Sequence, residues 1–139
     1  AYVNYVIELF RKHELPFIRI YHTNPGHGPE QGTAGFDFVN DIKIKETDPM
    51  IVKNYGNAFH KTALDSLLKE KEINTVFVSG LSGTGCVLAT YFGGTDLGYD
   101  IHLVKGTIIS PDNKHTKIIE ESQEALSVKA LGLLMKHGL

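Results

Sequence analysis

The sequence is poor in cysteine, lacks tryptophan and has no long apolar run. Among its 139 residues there is one cysteine, Cys86. A lone cysteine excludes a disulfide within the chain and is typical of proteins from a reducing cytoplasm, which is where we expect this protein. No apolar stretch approaches the ~20 residues that a membrane-spanning helix needs. We therefore expect no association with a membrane.

The sequence also has no excess of basic residues. Lys and Arg number 14 against 16 Asp and Glu, which gives a formal net charge of −2, and no basic run occurs. Nucleic acid is therefore not an expected partner, because its recognition requires a concentrated positive surface. The length of 139 residues fits a single domain, 1–139, with a sizeable core.

Short strands alternate with helices along the chain. Apolar patterns predict strands at 17–21, 50–52, 74–79 and 101–104, and helices at 2–13, 58–71, 84–98 and 120–137, with Gly138 as the last cap. This alternation predicts right-handed crossovers and a parallel sheet covered by helices on both faces, which is a three-layer α/β/α, Rossmann-like fold. The run at 74–79 is typical of a buried central strand.

Three polar features follow the ends of predicted strands. His22 and Lys53 each come directly after a strand, and the Gly-rich loop 80–86 follows the strand at 74–79. Ligands of parallel sheets bind beyond the carboxyl ends of the strands, so we expect these features to share a site. The long loop at 23–43, rich in Gly and Pro, is expected to be functional or mobile.

Cys86 lies where a strand turns into a helix. Unpaired N–H groups and the helix dipole at such a position favour the thiolate, which is the nucleophilic form. Lys53 ends a preceding strand, and a nearby ammonium group would add to that effect. The alternatives are a buried cysteine that acts as a small hydrophobe and a lysine solvated at the surface.

Two longer motifs make a family resemblance specific. Residues 52–59 (VKNYGNAF) and 78–87 (VSGLSGTGCV) stand in the order and spacing of the isochorismatase-like cysteine hydrolases, and Gly98-Tyr99-Asp100 also fits. This superfamily includes nicotinamidases, N-carbamoylsarcosine amidases and isochorismatases. The resemblance covers nearly the whole chain and implies the isochorismatase-like hydrolase fold.

The resemblance implies roles for individual residues. In the family a Cys, a Lys and an Asp form a triad, so Cys86 corresponds to the nucleophile and Lys53 to the lysine. A cis peptide is implied between Leu81 and Ser82. It would direct the N–H groups of Ser82 and Cys86 at a developing oxyanion.

Three further side chains are candidates for contact with substrate. Tyr55 and Phe59 follow Lys53 closely and are candidates for lining a pocket, with core packing as the alternative. His22 is a candidate for binding substrate, with a solvated histidine at a strand end as the alternative.

The sequence departs from the family in its acid. No apolar run that ends in Asp is present, and Asp37, Asp41 and Asp48 lie in or beside the loop without the family's context. The family places that first strand centrally, between the strands at 17–21 and 74–79, and each buried backbone group left unpaired costs ~1–3 kcal/mol. We therefore expect an incomplete domain. Either the 139 residues are a truncated record of a longer protein, or a partner chain supplies the strand.

The resemblance does not extend to a metal site. Nicotinamidase-like members bind a divalent metal through an Asp-x-His pattern and a later His, but the matching tripeptide here is Ile20-Tyr21-His22. His22 and His27 without a carboxylate make a poor site. We expect neither a metal nor another cofactor.

These observations favour a cysteine-dependent amidohydrolase. It would cleave a C–N bond, amide or carbamoyl, of a small molecule through a thioester. The alternatives are an inactive binding or regulatory subunit on the same fold and an isochorismatase-type ether hydrolase. A phosphate cradle is disfavoured because the loop lacks the Gly-Lys-Ser/Thr ending of a P-loop. By resemblance, several copies of the chain are expected to assemble.

Overall fold

Helices and strands alternate along the chain in the computed structural model, which describes residues 2–138. The strands are β1 (Arg19–His22), β2 (Met50–Lys53), β3 (Thr75–Leu81), β4 (Asp100–Ile109) and β5 (Ala125–Leu126). The helices are α1 (Tyr2–Lys12), α2 (Leu64–Glu70), α3 (Leu88–Asp96), α4 (Asn113–Ser122) and α5 (Val128–His137). A π-helical turn, Gly83–Val87, runs directly into α3. No helix among residues 2–138 has the length and apolar character to cross a bilayer.

The strands pair in parallel in two sheets, one in the order β1-β2 and the other β3-β4-β5. The predicted parallel α/β fold is thus confirmed. Within residues 2–138, β3 lies at the edge of its sheet and pairs with β4 alone. The apolar residues Val76, Phe77 and Val78 are consequently half-buried. In this the structure differs from the expected buried central strand.

Helices cover both faces of β4, and this gives the predicted three layers. Leu103 and Val104 are adjacent and have no exposed surface, and adjacent strand residues point to opposite faces. Leu103 belongs to the larger core cluster, which includes Leu64 of α2, Tyr91 of α3 and Ile119 of α4. Val104 packs with Val6 of α1 and with Leu131 and Met135 of α5. The core therefore lies on both sides of β4.

Two predicted helices differ from the structure. The helix expected at 58–71 begins only at Leu64, because the chain before it turns and Lys61 adopts a φ of 52°. The helix expected at 120–137 is interrupted by β5. A new helix, α5, starts at Val128 after its N-cap Ser127, whose hydroxyl accepts from the N–H of Ala130 at 3.0 Å. Gly138 ends α5 with a φ of 80°, as predicted.

Tyr99 joins α2 to the start of β4. Its hydroxyl donates to the Asp65 carboxylate at 2.6 Å, and its ring stacks on Phe59 with centroids 5.4 Å apart. Burial, with the hydrogen bond to Asp65 second, raises the pKa of Tyr99 to about 12. The hydrogen bond from Tyr99 in turn lowers the pKa of the Asp65 carboxyl, with a smaller contribution from Lys69.

The raised pKa of Tyr99 predicts that its hydroxyl group makes a pH-dependent contribution to the stability of the fold. Tyr99→Phe should lower the free energy of unfolding at neutral pH by about 1 kcal/mol, because it removes a hydrogen bond to a carboxylate. The raised pKa means that ionisation opposes folding. The contribution of the hydroxyl is therefore complete below its ordinary pKa of 10.0 and is lost as the pH rises towards about 12.

Urea unfolding from neutral to strongly alkaline pH would measure this difference. The gap between wild type and Tyr99→Phe should close in the alkaline range. Tyr2→Phe, which alters a tyrosine that is 60% exposed, is the matched control. A gap that stays constant up to about pH 12 would contradict the assignment.

Candidate active site

The polar ends of three strands meet at one edge of the fold, as the sequence predicts. β1 ends at His22 and β2 ends at Lys53, and these residues are partners in the parallel register. β3 ends at Leu81, and the π-helical turn that follows carries Cys86. The ammonium group of Lys53 contacts the side chains of both His22 and Cys86.

The ammonium group of Lys53 has three partners. Its Nζ lies 3.2 Å from Cys86 Sγ, 3.1 Å from His22 Nδ1 and 3.0 Å from the backbone oxygen of Tyr55. An ammonium group has three N–H donors, so these contacts satisfy all of them. Lys53 is only 4% exposed. This placement excludes the alternative of a lysine solvated at the surface.

A buried ammonium group needs a negative partner, because an unpaired buried charge is costly. Among residues 2–138, no carboxylate forms a hydrogen bond or an ion pair with Lys53. The imidazole of His22 and the carbonyl of Tyr55 are not anionic. The sulfur of Cys86 is therefore the neighbour in this part of the chain that can carry the compensating negative charge.

Cys86 lies in the π-helical turn rather than in a regular first turn of α-helix. The turn is closed by the N–H groups of Gly85 and Val87, which both donate to the backbone oxygen of Ser82 at 3.0 Å. Cys86 is a free thiol of intermediate exposure. The peptide bond between Leu81 and Ser82 is cis, at the position that the resemblance implies.

The π-helical turn packs tightly against the hydroxyl group of Ser110, which the sequence analysis did not single out. A Cβ on Gly83 would lie 2.3 Å from Ser110 Oγ and 3.1 Å from a methyl carbon of Ile108. Ser110 is 6% exposed and accepts from Thr116 Oγ1 at 2.7 Å. No local pattern marks Ser110, because its contact with the turn depends on the pairing of β3 with β4.

The two aromatic candidates for substrate contact separate in the structure. Tyr55 is 46% exposed beside Lys53, and its ring packs edge-on against His60 with centroids 4.6 Å apart. Phe59 is buried in the core against Tyr99, near the amino ends of the strands. Phe59 is therefore packed in the core, which is the alternative that the sequence left open for it. Phe59 is close to Lys53 in sequence, but an exposed turn separates them, so the phenyl ring does not lie beside the ammonium group.

The aspartates of the loop do not contact the candidate site. Asp48 accepts from Arg11 at 2.5 Å and from the N–H of Lys45 at 2.7 Å, which fixes the end of the loop to α1. Asp37 and Asp41 are exposed. Within residues 2–138, none of the three forms a hydrogen bond to Lys53 or Cys86.

The donors near this site do not fit a metal ion. His22 Nδ1 faces an ammonium group, and the residue two positions earlier is Ile20, which has no donor. No group of three or more His, Cys, Asp or Glu side chains converges anywhere in the described part of the chain.

A family model described as the isochorismatase domain matches residues 1–127. The chain therefore belongs to the isochorismatase family, which confirms the resemblance seen in the motifs.

Individual relatives give the extent of the similarity. The isochorismatase family protein YrdC of Bacillus subtilis (strain 168) is 30% identical over 104 residues, which cover 73% of this chain and 56% of that protein. The chain thus spans little more than half the length of this curated relative.

Two solved structures share the fold. An isochorismatase-like hydrolase from Alkaliphilus metalliredigens superposes with a TM-score of 0.88 at 20% identity, over 95% of this chain and 80% of that one. An N-carbamoylsarcosine amidase from Thermoplasma acidophilum superposes with a TM-score of 0.78 at 24% identity, over 91% and 79%.

The packing of Gly83 predicts different outcomes for two glycines of the same turn. Gly83→Ala should destabilise the protein by about 1–3 kcal/mol, because the new methyl group forces the turn away from Ser110. It should also slow the alkylation of Cys86, which moves with the turn. Gly85→Ala is the matched control, since its Cβ would meet nothing nearer than Ser82 Cβ at 3.9 Å.

Thermal unfolding and the rate of alkylation by iodoacetamide would measure both effects. Equal stability and equal rates for the two variants would show that the turn does not depend on the contact between Gly83 and Ser110.

Proposed function

We propose that this protein is a cysteine-dependent amidohydrolase that cleaves the C–N bond of a small amide or carbamoyl compound. The observation that supports it most strongly is the 3.2 Å contact between Lys53 Nζ and Cys86 Sγ, made by a lysine that is only 4% exposed. Membership of the isochorismatase family and the fold shared with an N-carbamoylsarcosine amidase support the same class of reaction.

The electrostatics of the contact favour a nucleophilic sulfur. Proton transfer from the thiol would leave a thiolate beside a buried cation, and this pairing lowers the cost of burying either charge. The thiolate is the nucleophilic form of cysteine. The half-buried position of Cys86 leaves the sulfur within reach of a small molecule.

Acyl transfer from this arrangement proceeds in two stages. The sulfur of Cys86 attacks the carbonyl carbon, and the C–N bond breaks as the leaving nitrogen takes a proton from Lys53. Water then attacks the thioester carbon and gives its proton to Lys53, and the acid leaves as the C–S bond breaks. The backbone N–H groups of Ser82 and Cys86 are the proposed donors to the oxyanion.

Two side chains next to the ammonium group of Lys53 are proposed to contact the substrate. Tyr55 presents an exposed ring next to Lys53, and His22 is partly exposed on the other side of the ammonium group. An aromatic face and an imidazole N–H suit a small planar amide better than a long chain. Phe59 has no part in this proposal.

The second candidate function is a binding or regulatory subunit on the same fold. The specific observation in its favour is that no carboxylate among residues 2–138 bonds to Lys53 or Cys86. In that case a small amide would bind without being turned over. Assays of hydrolysis separate the two functions directly.

Hydrolysis predicts release of ammonia or amine and a covalent intermediate. A panel of small primary carboxamides and N-carbamoyl amino acids should include a compound that releases ammonia. Intact-protein mass spectrometry after rapid quenching should detect the acylated chain. Cys86→Ser should lower the rate by at least about 100-fold, because the hydroxyl is far less ionised than the thiol. Binding of an amide without release of product would favour the second candidate.

The contact with Lys53 predicts rapid alkylation of Cys86. Iodoacetamide should react faster with Cys86 at neutral pH than with a free thiol such as glutathione. Lys53→Met should slow the reaction by about tenfold or more, because it removes the cation beside the sulfur. Lys105→Met, at an exposed lysine of β4, is the matched control and should react like the wild type. A wild-type rate no greater than that of glutathione would count against an activated nucleophile.

A further inference from the structure

We propose that His22, in its neutral form with the proton on Nε2, positions the Lys53 ammonium group against Cys86, and that protonation of His22 in acid switches the site off. The inference rests on the proposed function, because it concerns the same nucleophile. It assigns His22 as a positioning residue, which is a different role from contact with substrate.

The direction of the hydrogen bond fixes the tautomer. His22 Nδ1 lies 3.1 Å from Lys53 Nζ, and an ammonium group can only donate. Nδ1 must therefore accept, so the single proton of the neutral ring is on Nε2. The parallel register, which pairs His22 with Lys53 at the ends of β1 and β2, holds the two side chains next to each other.

The acceptor on His22 determines where the ammonium group of Lys53 lies. The lysine side chain is flexible, and its three donors rotate freely about the last bond. The backbone oxygen of Tyr55 at 3.0 Å and His22 Nδ1 at 3.1 Å occupy two donors and direct the third at Cys86 Sγ. Without the imidazole, one N–H of a buried cation would lack a partner and the group would move towards another acceptor.

Protonation of His22 would reverse this contact. An imidazolium has a proton on Nδ1 and cannot accept, and its charge would lie against that of Lys53. Lys53 from β2 is the charged group that faces the ring, with Cys86 of the π-helical turn behind it. No carboxylate among residues 2–138 forms an ion pair with His22 to offset the repulsion.

The direction in which the pKa of His22 is shifted agrees with this arrangement. Burial, followed by the charge of Lys53, lowers the pKa of His22 below its ordinary value of 6.5. The ring is therefore neutral at neutral pH and takes up its proton only in acid. Contact with the sulfur would then be lost as the pH falls, in addition to any protonation of the sulfur itself.

Alkylation of Cys86 by iodoacetamide across the range from about pH 5 to about pH 8 tests the proposal. His22→Asn keeps an acceptor one bond from Cγ, where Nδ1 stands, but does not titrate. His22→Leu keeps a similar volume and removes the acceptor. His27→Asn changes an exposed histidine of the loop and is the matched control.

The wild type and His27→Asn should lose reactivity in acid more steeply than a single titration allows. His22→Asn should keep the neutral-pH rate within about threefold and follow a single titration. His22→Leu should be slower by about tenfold or more at neutral pH. A residue that only touches substrate would leave all of these rates unchanged.

Long-range proton–nitrogen NMR spectra of the wild-type protein supply a measurement that does not depend on the folding of a variant. They should show an unprotonated Nδ1 and a protonated Nε2 for His22 at neutral pH.

A protonated Nδ1, or an acid slope of His22→Asn equal to that of the wild type, would overturn the role of His22 and leave the proposed function standing. A wild-type Cys86 no more reactive than glutathione at any pH would overturn both.

Discussion

The site depends on a lysine that is buried without a carboxylate beside it in the described part of the chain. Removing an ammonium group from water is unfavourable unless its donors are satisfied and its charge is balanced. Strand ends supply the partners: His22 from β1, the backbone oxygen of Tyr55 after β2, and the sulfur of Cys86 after β3. Burial makes the charge of Lys53 costly, and it also strengthens the electrostatic contact with the sulfur, because water screens that contact little.

Two features of the fold keep that contact in register. The parallel pairing of β1 and β2 aligns the backbone of His22 with that of Lys53, which brings the imidazole and the ammonium group together at one edge of the sheet. On the other side, the close approach of Gly83 to Ser110 seats the π-helical turn on the end of β4. The position of the sulfur is therefore decided by packing of the turn against the sheet, and that of the ammonium group by its acceptors.

Sequence patterns predicted the carboxyl ends of β1 and β2 to within one residue but ended the strand at 101–104 five residues before the observed end of β4 at Ile109. Lys53 and the loop before Cys86 were assigned to one edge because parallel strands place their carboxyl ends together. The helices at 58–71 and 120–137 were overextended, since apolar spacing does not register a positive φ at Lys61 or a two-residue strand. For Phe59 the sequence left both a pocket role and core packing open, and the structure places it in the core.

The sequence by itself determined the class of fold, because the periodicity of its apolar residues predicts alternating strands and helices. Its motifs also resemble those of a known family, and that resemblance implies the pair of residues at the centre of the proposed chemistry. Only the tertiary structure decided that Lys53 is buried, that His22 Nδ1 lies 3.1 Å from its ammonium nitrogen, and that Ser110 packs against Gly83 of the turn. Those facts arise from contacts between segments distant in the chain. No local pattern encodes them, since each requires two strands or a strand and a turn to be in place at once.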